Sequence, residues 1–214
     1  MKKAYIIGAG GAAKEIYLLI KEINELKPTF DFKGFVDLSL NLFLQIGKTK
    51  FDIINESDFF KNSNNKVAII FGLADTTKLE GIVERYKQNE NFVFPNLVHP
   101  SVKLDESVSM GIGNIISCQC VFTVETTLNS FNYINRGVHI GHDCSIGSFN
   151  VVNPCAVISG GVNIENENLI GTNATILQYL KIGARNKIGA GAVVTKDVQN
   201  DSCMIGIPAK KINR

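Results

Sequence analysis

The chain has 214 residues, room for two small domains, and 22 basic against 20 acidic side chains give it a formal charge of +2. That balance, with no Lys/Arg run, argues against a nucleic-acid-binding surface, and no apolar stretch approaches the ~20 residues of a membrane span. Met1-Lys2-Lys3 leads into a strand-like run rather than a secretory leader, and the five cysteines form no CxxC framework, so reduced thiols in a cytoplasmic protein are expected.

In chain order, Ala4-Tyr5-Ile6-Ile7 reads as a buried strand. Gly8-Ala9-Gly10-Gly11-Ala12-Ala13 follows, and then a helix whose apolar face is Ile16, Leu19, Ile20, Ile23 and Leu26. A second strand, Gly34-Phe35-Val36, ends at Asp37; a third, Val67 to Phe71, ends at Gly72 before a helix from about Asp75 to Gln88. The stretch from Leu38 to Lys66 is poorly patterned, with room for a further short strand or a specificity loop. This alternation predicts an α/β, Rossmann-like βαβαβ domain over residues 1–95 with a parallel sheet. The loop after the first strand matches G-x-G-x-x-A, whose backbone N–H groups at a helix N-terminus favour a phosphate. Asp37 ends the second strand, where an acid accepts a ribose hydroxyl. About 95 residues make only half of a dinucleotide fold, so a mononucleotide fits better. The competing reading is that the glycines only make a tight turn.

From Val98 to Val194 the pattern changes: every sixth residue, 17 in a row, is apolar. At 45% apolar composition, chance gives such a run with probability on the order of 10⁻⁶, and neither a helix nor a flat strand has period six. A hexapeptide repeat does, with three repeats to a turn of a β-solenoid and five to six stacked coils over residues 96–214. The residue after the repeat apolar is often glycine (Gly111, Gly141, Gly147, Gly171, Gly183, Gly189), suited to corners with positive φ or close backbone approach. The fourth position is compact or Asn: Cys120, Cys144, Ala156, Ala174, and Asn114, Asn132, Asn150, Asn168, Asn186. Cys120 and Cys144 are therefore expected to point inward, and Cys118 and Cys155 to sit at corners. A rigid scaffold without activity is the alternative.

The hexapeptide pattern resembles that of left-handed parallel β-helix acyltransferases. The run Ile134-Asn135-Arg136-Gly137-Val138-His139-Ile140-Gly141-His142-Asp143 is similar to the catalytic coil of the sialic-acid O-acetyltransferase-like sugar acyltransferases, which include N-acetyltransferases of nucleotide-linked amino sugars. Ile6-Ile7-Gly8-Ala9-Gly10-Gly11, Glu15, Gly34-Phe35-Val36-Asp37, Val98-His99-Pro100 and Ile205-Gly206-Ile207-Pro208-Ala209 extend the resemblance over essentially the whole chain. It implies left-handed coiling, an acetyl-CoA donor, a nucleotide-sugar acceptor, no metal, and a homotrimer with active sites between neighbouring solenoids. By matching position, His142 is the general base and Asp143 the acid that orients it. Asn135 lies near the acceptor amine, and Gly160 offers its N–H to the acetyl carbonyl. Gly171 and Ala190 lie along the CoA arm; Gly8, Gly10, Gly11 and Asp37, with Gly72, hold the nucleotide. Two positions depart from the family pattern: Val151 replaces a histidine, and Gly141 replaces an acid before the catalytic histidine.

Histidine suits the base role because its unperturbed pKa of roughly 6.5 lies near working pH. Two residues past Ile140, His142 should stand exposed at a corner; His139 reads as a neighbouring surface histidine, and His99 as a shaper of the solenoid entry. Direct transfer in a ternary complex is expected, since no Cys or Ser is set beside a base. Three rival functions remain: sugar O-acetylation, a zinc site of the carbonic-anhydrase type, and a non-catalytic nucleotide-sugar-binding module. The zinc site needs three converging histidines, and the chain has only three, with His99 far along the repeat from the others.

Overall fold

The computed structural model describes residues 1–38, 43–62 and 65–212, with Asn62 described by its backbone alone. Residues 39–42 and 63–64, within the unpatterned Leu38–Lys66 stretch, lie outside the described residues. The chain divides into two compact units, residues 1–74 with 81–95, and residues 75–80 with 96–214.

The first unit is built on a sheet of β1 (Lys2–Ile7), β2 (Phe30–Asp37), β3 (Phe43–Ile46), β4 (Thr49–Asn55), β5 (Val67–Phe71) and β6 (Phe92–Val93) in the order β3-β4-β2-β1-β5-β6. Only the β3–β4 hairpin is antiparallel; β1 pairs in parallel with both β2 and β5. A parallel strand between two neighbours is buried throughout, and all five residues of β5 are. The hairpin and α2 (Glu56–Asn62) occupy the described part of the stretch that carried no clear pattern. There, short strands alternate too weakly to be read locally, and their order comes from pairing with β2.

Helix α1 (Gly11–Leu26) buries Ala13, Ile16, Leu19 and Ile20 on one face and stops at Lys27, ahead of Pro28. Leu26, expected on that face, is 75% exposed. At 100° per residue it lies only about 20° from the buried Leu19, so its exposure goes with its place as the last residue of the helix, two before Pro28, and not with its face. The third helix, α3, spans Thr76–Lys87. Tyr17, Phe32, Phe35 and Phe51 form one cluster of tilted and edge-on rings, and Phe59, Phe60, Tyr86 and Phe92 another.

The second unit is a stack of two-residue rungs arranged in three parallel sheets. One row runs through residues 97–98, 115–116, 133–134, 151–152, 169–170 and 187–188; the others through 109–110 to 181–182 and 121–122 to 193–194. Partners such as Ile134 and Val152, or Ile140 and Ile158, are eighteen residues apart, so three hexapeptides make one coil. These repeating short parallel strands fit a left-handed β-helix. From Ile116 onward every sixth residue is buried in one continuous core; Val98, Leu104 and Met110 are partly buried against it. Each buried Ile or Val contributes about 1.5–3 kcal/mol, which is why the repeat tolerates no polar interruption. Cys120 and Cys144 point into this core; burial pushes the Cys120 thiol up to about 11, while Cys155 is exposed. A hairpin of Cys203–Ile205 and Lys210–Ile212 ends the stack.

The corners decide between the two reasons for the repeat glycines. The glycines that follow the repeat apolar do not have positive φ; left-handed backbone falls two residues later, at Asp143, Cys155, Asn173 and Tyr179 among others. The repeat glycines are required by proximity instead. A Cβ on Gly141 would lie 2.6 Å from the Gly160 nitrogen, and one on Gly171 2.5 Å from that of Ala190.

The asparagines at the compact position do more than fit. Asn114, Asn132, Asn150, Asn168 and Asn186 are fully buried, one per coil. Each side-chain Oδ1 accepts the backbone N–H of the next asparagine at 2.8–2.9 Å, and Asn186 accepts that of Ser202. The ladder satisfies corner amides that rung pairing leaves over. Removing Asn150 strands the Asn168 N–H, so Asn150→Ala should cost about 1–3 kcal/mol in urea unfolding. The exposed Asn163→Ala should stay within about 0.5 kcal/mol of wild type.

Candidate active site

The rung His139–Ile140 sends Ile140 into the core and leaves His139 exposed; Gly141 then turns the chain and His142 stands outward on the corner. Asp143 adopts a left-handed backbone, φ 57°, held by its N–H donating to the Val124 carbonyl at 3.2 Å. That local conformation lets two adjacent side chains meet: Asp143 Oδ2 lies 2.6 Å from His142 Nδ1. With Nδ1 engaged by a carboxylate, Nε2 is the nitrogen available to a substrate.

The imidazole does not project freely into solvent. It leans onto the next coil, where a Cβ on Gly160 would overlap its Nε2 edge. The His142 carbonyl accepts the Gly161 N–H at 2.7 Å, binding the two coils at this point. On another corner of the solenoid, equivalent amides are capped by side chains of the following coil: Ile112 by Ser130, Ser130 by Ser148, Ser148 by Asn166. On the His142 corner glycine supplies no such cap, and among the described residues the Gly160 N–H meets no acceptor. An oriented imidazole nitrogen thus lies beside an unengaged backbone donor, a pairing suited to proton removal next to a polarised carbonyl.

The other candidates divide into two groups. Asn135, Gly171 and Ala190 follow Ile134, Ile170 and Ile188, and so occupy a different corner from His142, Asp143 and Gly160. Asn135 is 7% exposed, and its Oδ1 accepts the Arg136 N–H at 2.9 Å. One chain does not bring these two corners together. His99 accepts the Ser101 N–H at Nδ1 in the entry turn. Among the described residues no three His, Cys, Asp or Glu side chains are placed to hold a metal ion.

In the first unit, Gly8 (φ 105°) and Gly72 are demanded by packing. A Cβ on Gly8 would strike Leu73 and the Gly72 carbonyl, and one on Gly72 would lie 2.8 Å from Ala13. Gly10 and Gly11 are different: nothing lies within 4 Å of where their Cβ atoms would be. They open α1, whose positive end has no side-chain N-cap and no acidic residue in its first turn. Gly8, Asp37, Glu56, Leu73 and Arg85 line one cleft. Glu56 was not visible as a candidate in the sequence. It is buried and accepts hydrogen bonds from Arg85 at 2.7 Å and from the Tyr86 hydroxyl at 2.9 Å, while burial holds the Tyr86 phenol well above its ordinary range. No local signal marks position 56; only the packing of α2 against α3 reveals it.

No family model and no curated protein sequence matches the chain. Solved structures do. GDP-perosamine N-acetyltransferase PerB from Caulobacter crescentus, in complex with CoA and GDP-perosamine, is 23% identical with a TM-score of 0.85, over 100% of this chain and 98% of that one. The acetyltransferase domain of PglB from Neisseria gonorrhoeae, in complex with acetyl coenzyme A, is 24% identical with a TM-score of 0.87, over 99% of both chains. WeeI from Acinetobacter baumannii is 25% identical with a TM-score of 0.82, over 99% of this chain and 100% of that one. PerB has also been solved with one histidine replaced by alanine or by asparagine. From end to end, the chain has the fold of hexapeptide-repeat sugar N-acetyltransferases.

Proposed function

We propose that this protein is an enzyme that transfers acetyl from acetyl-CoA directly to the amine of a nucleotide-linked amino sugar, in a ternary complex and without an acyl-enzyme. The observation that carries the reading is the His142–Asp143 pair resting on Gly160. The complexes of PerB with CoA and GDP-perosamine, and of PglB with acetyl coenzyme A, support the same two substrates for the same fold. Nε2 of His142 removes the proton of the acceptor amine as its nitrogen bonds to the thioester carbon. Asp143 keeps Nδ1 protonated and stabilises the imidazolium. The Gly160 N–H donates to the carbonyl oxygen as it gains charge, and the intermediate collapses by breaking the C–S bond. The CoA thiolate leaves with the proton from the imidazolium, so acetyl, proton and electron pair are all accounted for. His142 also has the chemistry for a sugar hydroxyl; an acceptor whose amine is already blocked separates the two activities.

In this reading residues 1–95 form a Rossmann-like nucleotide-sugar domain and residues 96–214 the acyltransferase domain. Gly10 and Gly11 take the nucleotide phosphates at the start of α1, and Asp37 takes a ribose hydroxyl. Gly8 and Gly72 serve the packing that shapes this loop. The donor lies between copies of the chain in a homotrimer, where the Asn135, Gly171 and Ala190 corner of one copy faces the His142 corner of the next. Two features support the trimer: the candidate residues of one chain stand on separate corners, and Val121, Val124, Val157 and Leu177 lie exposed around His139 and His142. Among the described residues no helix is long and apolar enough to cross a membrane. Nucleotide-activated substrates and free thiols fit a cytoplasmic enzyme.

A screen of nucleotide amino sugars with acetyl-CoA, following thiol release, tests the activity; absence of release with every acceptor overturns it. In a turning-over system, His142→Ala should lower kcat by about 10²-fold or more, with its thermal midpoint unchanged. Asp37→Ala should raise the acceptor KM with kcat held, as expected for lost binding. Gly160→Ala should lower kcat in steady-state assays while its circular dichroism stays native, because that position has an ordinary φ and the three atoms nearest the new methyl all belong to the imidazole, which can swing away.

A further inference from the structure

One residue on the reacting corner has no part in this scheme. Tyr179 stands two coils beyond Asp143 in the same left-handed position, φ 62°, and is 71% exposed. Its ring folds back onto the preceding coil, where a Cβ on Gly161 would overlap it. The His142 ring folds forward onto Gly160. The two rings therefore close on one Gly160–Gly161 step from opposite sides, and the floor between them is bare backbone.

Other aromatics in this left-handed position are treated differently. Phe131 and Phe149, on another corner, are buried and stack on each other with centroids 5.6 Å apart and planes 5° from parallel. Among the described residues Tyr179 has neither an aromatic partner nor a hydrogen bond to its hydroxyl. Leu177, on the same coil, is exposed as well. A large ring held against backbone, exposed on its outer side and next to a second apolar side chain, is a surface for methylene groups.

We propose that Tyr179 is a donor-binding residue: its ring is the shelf on which the pantetheine arm of the acyl donor rests. The thioester carbon then sits between the Gly160 N–H and His142 Nε2. The inference rests on the proposed acetyltransferase reading and adds the donor's contact to it. The shelf suits the donor because the arm next to the sulfur carries pairs of methylenes between its amides, and an exposed ring face on the same coil as exposed Leu177 offers those methylenes apolar surface.

Steady-state kinetics and calorimetry with CoA alone test this on the full chain. Tyr179→Ala should raise the KM for acetyl-CoA roughly tenfold and weaken CoA binding in step, with a much smaller fall in kcat and no change in acceptor KM. Tyr179→Phe should restore the donor KM, since the ring face and not the hydroxyl makes the contact. An unchanged donor KM in Tyr179→Ala overturns the proposal. So does a rise confined to acceptor KM, a Phe variant as impaired as Ala, or loss of the native oligomer by size exclusion in Tyr179→Ala. If the wild-type protein neither binds CoA nor releases thiol, the functional reading itself has failed; turnover in wild type with an indifferent Tyr179→Ala defeats the shelf alone.

Discussion

The second unit depends on one constraint: each coil must lie in hydrogen-bonding contact with the next, eighteen residues on, along the whole stack. Parallel rungs of two residues make few bonds each, so regularity has to supply cooperativity. The register leaves little room at the corners. Where a corner residue presses on the following coil, it must be glycine, as at Gly141 and Gly171, or the coils separate. Where an amide faces inward, something must accept it, and the asparagine ladder does so without interruption from Asn114 to Ser202.

The candidate chemistry is a local exception within that regularity. One other corner closes its outward amides with Ser or Asn from the next coil, whereas the His142 corner has glycine in that place and lays an imidazole in the space. A stiff scaffold suits such a site. The imidazole is held by a carboxylate on one nitrogen and by backbone beneath the other, so the proposed proton transfer would need little reorganisation. The left-handed conformation of Asp143, unfavourable for a non-glycine residue by about 1–3 kcal/mol, is held by coil-to-coil bonds and yields the adjacent-residue contact.

The first unit separates two roles that a glycine-rich loop can have. Gly8 and Gly72 close a strand against a helix, and any side chain there meets atoms. Gly10 and Gly11 meet none, so their lack of a side chain keeps the mouth of α1 clear rather than permitting a contact. The tight-turn reading thus holds at Gly8 and Gly72, while Gly10 and Gly11 have the open surroundings that the proposed nucleotide site needs. The pair of buried Glu56 and exposed Arg85 lines the same cleft as Asp37.

Much of this was legible from residue order. Period six along Val98–Val194 determines the rungs, the core and the eighteen-residue coil, because a side chain's direction on a two-residue rung follows from its place in the repeat. The same arithmetic puts Ile140 inside and His142 outside. The β1-loop-α1 opening and the apolar β5 were equally plain, since their patterns are local. What no single stretch contains is the relation between coils and between elements: that Gly160 lies under His142, that buried asparagines form one chain of hydrogen bonds, that positive φ falls at Asp143 rather than at Gly141, and that Glu56 meets Arg85 and Tyr86. The contacts among these join residues 18 to 30 positions apart, set by packing geometry, and only the folded chain brings their atoms within reach.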